Sequence, residues 1–324
     1  MSMKLLRVIT ILAALAVPGL ASAQDYPRQT VKLLVGFLAG GPIDTTARIM
    51  AESLSQIWGV PVIVENRPGA NSRIAIEQLR GAQPDGYTLL VGTNGAMTVN
   101  PPLQGLTFDQ ALRGITPVAF TVDYAYQIVT SVEKPYKTIA DLVKAAKEKP
   151  GALTYSSPGI GAVNHVAVED FAMRAGISVI NVPYNGDAGS LTDLMAGRID
   201  FSFNSAAQPL VRQGKLRALA ATGRQRMKEF PDVPTMIEAG YPDFVVTPWS
   251  AVFAPENLPA PLIAKINADV KTALEKPEVQ RRLTELGFTT MAMSPDELRK
   301  WMHKDFDRWA EIGKGANIKL DPVK

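Results

Sequence analysis

No cysteine occurs in the 324 residues, and that absence excludes disulfides, thiol nucleophiles and thiolate metal sites. Histidine is almost as scarce. His165 and His303 are the whole supply, too few for a multi-histidine metal centre. A Gly-x-Ser-x-Gly nucleophile elbow is missing too, and with it a common mark of serine hydrolases. Past the N-terminus, no apolar run approaches the roughly twenty residues of a membrane-crossing helix, so the mature chain is expected to be soluble. What is present is a globular composition, 46% hydrophobic and 20% charged, on a chain long enough for two cores.

Residues 1–23 differ in kind. Lys4 and Arg7 precede an apolar run from Val8 to Val17, then Pro18-Gly19 and an Ala21-Ser22-Ala23 cleavage pattern. About ten apolar residues are too few to span a bilayer, so the segment reads as a secretory signal peptide. The mature protein is expected to begin near Gln24, in the periplasm. Removing the leader takes away two of 34 basic residues and none of 31 acidic ones, lowering the formal net charge from +3 to +1. Nothing basic then remains to favour nucleic acid.

The stretch from Val31 to Ile57 organises the rest. Val31–Phe37 reads as a buried strand, Gly40-Gly41 as a sharp turn, and Ile49, Met50, Leu54 and Ile57 recur at helical spacing. Free N–H groups at a helix start beyond a strand's carboxyl end suit an anion. Asp44 reads as a helix cap, with direct ligand contact as the alternative. Strands at 60–64 and 87–91 follow, the latter ending at Thr93-Asn94, and strand–helix alternation predicts parallel α/β sheets with ligands at their carboxyl ends.

Residues 100–114 read as irregular. Thr116–Val122 and Tyr126–Thr130 read as nearly continuous extended chain that carries the first crossing between lobes. Thr138 and Asp141 form a loose capping box. The strand at 153–155 runs into Ser156-Ser157-Pro-Gly159-Ile-Gly161-Ala-Val-Asn164-His165 and a helix, which repeats the opening design. Tyr184 and Asn204 also stand at strand ends and read as candidate cleft walls. His165 and Glu169 share a helix face at metal-ligand spacing, but a single pair reads as a surface pair; Trp249 reads as core rather than a stacking platform. The expected division is 24–122 for lobe one, 123–221 for lobe two, and 222–324 returning to lobe one with helices at about 261–274, 277–286 and 295–313. Two connections between lobes make a hinge.

Tyr26-Pro27, Gly40-Gly-x-x-Asp44, Val64–Ala70, Pro84-Asp-Gly-Tyr-Thr-Leu89, Asn181-Val-Pro-Tyr184, Leu194–Gly197, Gly214–Ala220, Pro231–Thr235 and Glu238-Ala-Gly240 together resemble the Bug family. These are periplasmic substrate-binding proteins of tripartite tricarboxylate transporters, and the resemblance spans nearly the whole mature chain. It implies an α/β Venus-flytrap fold of the type II kind, with two mainly parallel sheets flanked by helices and closing on a small organic anion, commonly a carboxylate. It also implies delivery to membrane transporter subunits, a monomer, and no cofactor or metal. Carried over to this chain, the ligand contacts are Gly40, Gly41 and Thr93 in lobe one and Ser156, Ser157, Gly159, Gly161, Asn164 and His165 in lobe two. From the residue reading Asp44, Asn94, Tyr184 and Asn204 join them.

Two departures from the family pattern stand out. Leu38-Ala39 and Pro42-Ile43 flank the first glycine turn, and Ala162-Val163-Asn164 replaces serines in the second. Both make the mouth more apolar and point to a carboxylate with a hydrocarbon or aromatic body. The competing readings are an exported hydrolase and a sensory partner that presents its ligand to a receptor kinase.

Overall fold

The computed structural model describes residues 26–184 and 187–320; the signal peptide read at 1–23 and the turn residues Asn185-Gly186 lie outside them. In the first lobe β1 (Val31–Val35) pairs in parallel with β2 (Val62–Asn66) and with β3 (Thr88–Thr93). Between β1 and β2 runs α1 (Pro42–Trp58), which buries Ile43, Ala47, Met50, Leu54 and Trp58 against the sheet. Pro42 is harmless at the first helical position because that N–H has no partner within a helix. Gly59 ends the helix at φ +67 in the left-handed region that suits glycine.

Helix α2 (Arg73–Arg80) leads to β3. A π-helical turn (Gly95–Val99) follows β3, and two one-turn helices, α3 (Asn100–Leu103) and α4 (Phe108–Ala111), occupy the segment that reads as irregular. Strand β4 (Ile115–Tyr124) closes this first pass and β5 (Gln127–Ser131) opens the second sheet.

In the second lobe α5 (Ile139–Glu148) starts with a complete capping box between Thr138 and Asp141. There follow β6 (Leu153–Ser157), α6 (Val163–Ala175), β7 (Val179–Pro183), a 3-10 turn at Asp187–Ser190 that runs into α7 (Leu191–Met195), β8 (Phe201–Asn204), α8 (Gln208–Arg212) and β9 (Leu216–Ala221). The chain returns through β10 (Trp249–Pro255), α9 (Ala260–Glu275), α10 (Pro277–Glu285), β11 (Phe288–Thr289) and α11 (Pro295–Gly315).

The strand orders are β11-β4-β10-β3-β1-β2 and β7-β6-β8-β5-β9. Both sheets are mixed, which corrects the expectation of mainly parallel ones. The antiparallel pairings are those of β10, β4 and β11 in the first and of β5 in the second. The physical reason is the crossing itself: a strand that leaves one sheet for the other runs against the strands whose loops feed helices.

The return also starts later than residue 222. Met236, Phe244 and Val246 are buried in the second lobe's core, and Ala221 bridges Thr235, so residues 222–246 pack there. Two segments cross side by side. The Tyr124 N–H donates to the Pro248 carbonyl at 3.0 Å. The Thr222 hydroxyl accepts from the Tyr126 N–H at 2.9 Å and donates to the Val246 carbonyl at 2.6 Å. Helix α11 adds a third tie, with Leu298, Met302 and Phe306 in the first lobe's core and Trp309 and Ile312 in the second's.

Candidate functional site

Sequence order puts both glycine loops beyond the carboxyl ends of parallel strands, β1 and β6. In the first loop Gly40 takes φ +86, and a side chain there would meet nothing within 4 Å, so this turn faces open space. Asp44 does not cap α1; the cap is Gly41. Its buried carboxylate instead accepts from the Gly40 N–H at 2.8 Å, from Arg48 Nε and Nη2 at 2.9 Å each and from Asn66 Nδ2 at 2.8 Å. Burial opposes its ionisation, but the bonds from Arg48, Gly40 and Asn66 outweigh that and hold the carboxyl below its ordinary range. Asp44 therefore shapes the turn, and the Gly40 amide is already engaged.

In the second loop Gly161, at φ +81, donates its N–H to His165 Nδ1 at 3.4 Å. The Ser157 hydroxyl lies 2.8 Å from Asn181 Oδ1 and accepts from the Gly159 N–H at 3.3 Å. Asn164 Nδ2 donates to the Phe203 carbonyl at 3.0 Å. His165 is buried rather than a member of a surface pair, and burial pushes its imidazole below the usual value with Glu169 opposing. Glu169 is bonded instead by the Tyr155 hydroxyl at 2.6 Å. The Tyr184 hydroxyl is committed to Asp193 at 2.5 Å, and Asn204 Oδ1 accepts from the Ala206 N–H at 2.8 Å.

The lobes meet between the end of β3 and the start of α6. A Cβ on Gly95 would lie 3.5 Å from Val163, and one on Gly161 would lie 3.0 Å from Asn100 Oδ1. Thr93 and Asn94 are buried at this edge, and Asn94 Oδ1 accepts from the Trp249 N–H at 3.5 Å. Behind it sits Asp305, whose carboxylate accepts from the Thr98 hydroxyl at 2.6 Å and from the indole N–H groups of Trp249 at 2.9 Å and Trp309 at 3.0 Å. Burial raises the Asp305 carboxyl's affinity for a proton against the effect of these donors. Trp249 is core, locked by that bond and almost fully enclosed.

Among the described residues, six buried side-chain polar atoms have no hydrogen-bond partner: Asn94 Nδ2, Asn100 Oδ1, Gln127 Nε2, Gln127 Oε1, Ser156 Oγ and Asp170 Oδ2. Native interiors keep few such atoms, and each calls for an explanation. The first five stand where the lobes meet or at strand ends bordering the crossing, on both lobes. Asn100 and Gln127 are absent from the candidates read in the sequence. Asn100 lies in the segment read as irregular, and Gln127 looks like the solvent face of a strand. Two surface grooves of about 520 and 310 Å³, lined around Val143 and Tyr241 and around Phe108 and His303, contain none of these residues. Among the described residues no group of three His, Asp or Glu side chains is placed to hold a metal ion, and no helix is long and apolar enough to cross a membrane.

A family model described as "Tripartite tricarboxylate transporter family receptor" matches residues 46–318. The chain belongs to that receptor family. It is 32% identical over 321 residues to protein BugT of Bordetella pertussis, covering 98% of each chain. Among solved structures, R. palustris Rpa4515 with adipate superposes with a TM-score of 0.84 at 29% identity, over 91% of this chain and 99% of that one. MatC from Rhodopseudomonas palustris with bound malate gives 0.79 at 29% identity, over 89% of this chain and 99% of that one. The family and these neighbours are solute receptors rather than enzymes, and the two-lobed α/β architecture is theirs.

Proposed function

We propose that this member of the receptor family is a monomeric periplasmic protein that captures a small organic anion between its lobes and hands it to the membrane subunits of a tripartite tricarboxylate transporter. The observation that carries the reading is the set of unpartnered buried polar atoms shared by both lobes: Asn94 and Asn100 in one, Gln127 and Ser156 in the other. A solute bridging them satisfies groups that otherwise stay desolvated and unpaired. That its structural neighbours were solved with adipate and with malate supports a carboxylate.

The anion is one with an apolar or aromatic body. Leu38 and Ile160 are 70% and 71% exposed, the highest among the exposed large hydrophobic side chains described, and each stands in one of the two glycine loops. An apolar body passing between the loops covers that surface at roughly 25 cal/mol per Å². The test is a thermal-shift screen of aliphatic di- and tricarboxylates beside aromatic acids, followed by mass spectrometry of whatever co-purifies. Shifts with apolar-bodied acids support the reading; a large shift with citrate alone refutes the apolar body, and turnover of esters or phosphates refutes the receptor.

A further inference from the structure

We propose that Gln127 is a specificity-determining residue at one end of a polar row in the second lobe, a subsite that takes a neutral hydroxyl or carboxamide group of the bound solute. The inference deepens the receptor reading and rests on it. Gln127 of β5 is the direct partner of Asn204 of β8, and Ser202 of β8 is the direct partner of Ser156 of β6. Direct partners share a face, and Ser202 and Asn204, two residues apart, share it too. Four polar side chains, all at most 1% exposed, thus stand on one face of three neighbouring strands in two steps, Gln127 beside Asn204 and Ser202 beside Ser156. Val129 of β5, the other direct partner of Ser202, lies on the same face within an apolar cluster with Leu194 and Leu216. The opposite face carries Tyr155, Phe201, Phe203 and Ile128 in the apolar core.

The middle of the row is occupied. Asn204 Nδ2 reaches Ser190 Oγ at 3.4 Å and its Oδ1 takes the Ala206 N–H, while the Ser202 hydroxyl donates to the Ser156 carbonyl at 3.4 Å. The two ends are not: both polar atoms of Gln127 and the Ser156 hydroxyl lack partners. Gln127 lies immediately after the crossing at 124–127, at the end of its sheet that borders the first lobe.

The donor and acceptor inventory selects the ligand group. A side-chain amide offers N–H donors and one acceptor, and a serine hydroxyl offers one of each kind. The row contains no cation. An ionised carboxylate can only accept, so it would leave Gln127 Oε1 unpaired and lie desolvated without a counter-charge. A hydroxyl or carboxamide donates to Oε1 and accepts from Nε2, and leaves neither atom unpaired.

The test uses the full mature chain and four six-carbon acids that differ only at the far end: hexanoate, 6-hydroxyhexanoate, the monoamide of adipate, and adipate. Calorimetry on the wild type is expected to show the hydroxy and amide members binding at least about ten-fold tighter than the other two. Gln127→Met is expected to erase that preference, to leave hexanoate within about two-fold, and to raise the ligand-free melting temperature by removing an unpaired amide. Preference for adipate in the wild type, or four affinities unchanged by Gln127→Met, overturns the subsite. If none of the four binds, the receptor reading for such acids fails. The ligand-free melt then still decides Gln127, because a variant that melts lower shows the amide to be paired.

Discussion

Asp44 shows why a carboxylate beside the turn proposed to take an anion need not repel it. Its charge is spent on Arg48, Asn66 and the Gly40 amide, which fixes the turn. Because its folded-state proton affinity is depressed, its contribution to stability is complete above the ordinary value of 3.8 and is lost as pH falls through the lower folded value. Asp44→Ala is therefore expected to lower stability by about 2 kcal/mol at pH 7, with the difference from wild type shrinking below pH 4 in urea titrations. His165 acts with the same sign for a different reason. Burial depresses its proton affinity below 6.5, so an unfolded chain binds the proton more readily and wild type loses stability as pH falls below about 6.5. Chemical denaturation at pH 7 and pH 5 is expected to show wild type losing ground to His165→Gln at the lower pH. Neither role is legible from residue type. Asp44 stands where a cap belongs, and only the geometry shows its carboxylate turned back to Gly40. Gln127 is one polar residue in a strand, and only the pairing shows that it is enclosed.

At the scale of elements the sequence says more. Apolar spacing places α1, α9, α10 and α11 within a few residues of their bounds, because each buries one continuous stripe, whereas α6 is enclosed on nearly every side. Strand direction is not encoded that way. An antiparallel strand buried on both faces has the same apolar run as a parallel one, so the mixed sheets and the late return at β10 emerge only in three dimensions. The ties between lobes are tertiary too: Thr98, Trp249, Asp305 and Trp309 come from three separate segments. Asp305→Ala leaves two indole donors unpaired in a closed space, while the Thr98 hydroxyl keeps the Asn94 carbonyl as acceptor, and at about 1 to 3 kcal/mol per orphaned group the loss is expected to reach about 2 kcal/mol or more. Thermal melts of Asp305→Ala beside Asp305→Asn check this, with the asparagine variant falling less because it keeps an acceptor.

For the whole molecule the question is what would hold the proposed anion when three of the glycine amides, those of Gly40, Gly159 and Gly161, are already engaged within their own loops. Micromolar binding is worth about −8 kcal/mol, and association costs roughly 4 to 15 kcal/mol before any contact is counted. Charge-assisted hydrogen bonds contribute about 1.5 to 3 kcal/mol each, so several donors are needed, and neither lobe carries them all. The ligand then favours the closed state in proportion to contacts made only there. At a hundred times its dissociation constant it is expected to stabilise the protein by about 2.7 kcal/mol, a rise of several degrees in melting temperature, while X-ray scattering shows a smaller radius of gyration. The two lobes should also be energetically coupled through the guest. Asn94→Ala and Ser156→Ala each remove one side of the bridge, and once either is gone the other has less closure left to support. The double variant is therefore expected to lose less affinity than the sum of the single losses, by at least about 0.5 kcal/mol. Strict additivity in a calorimetric cycle would mean that the solute sits on one lobe alone and that closure does not report its capture.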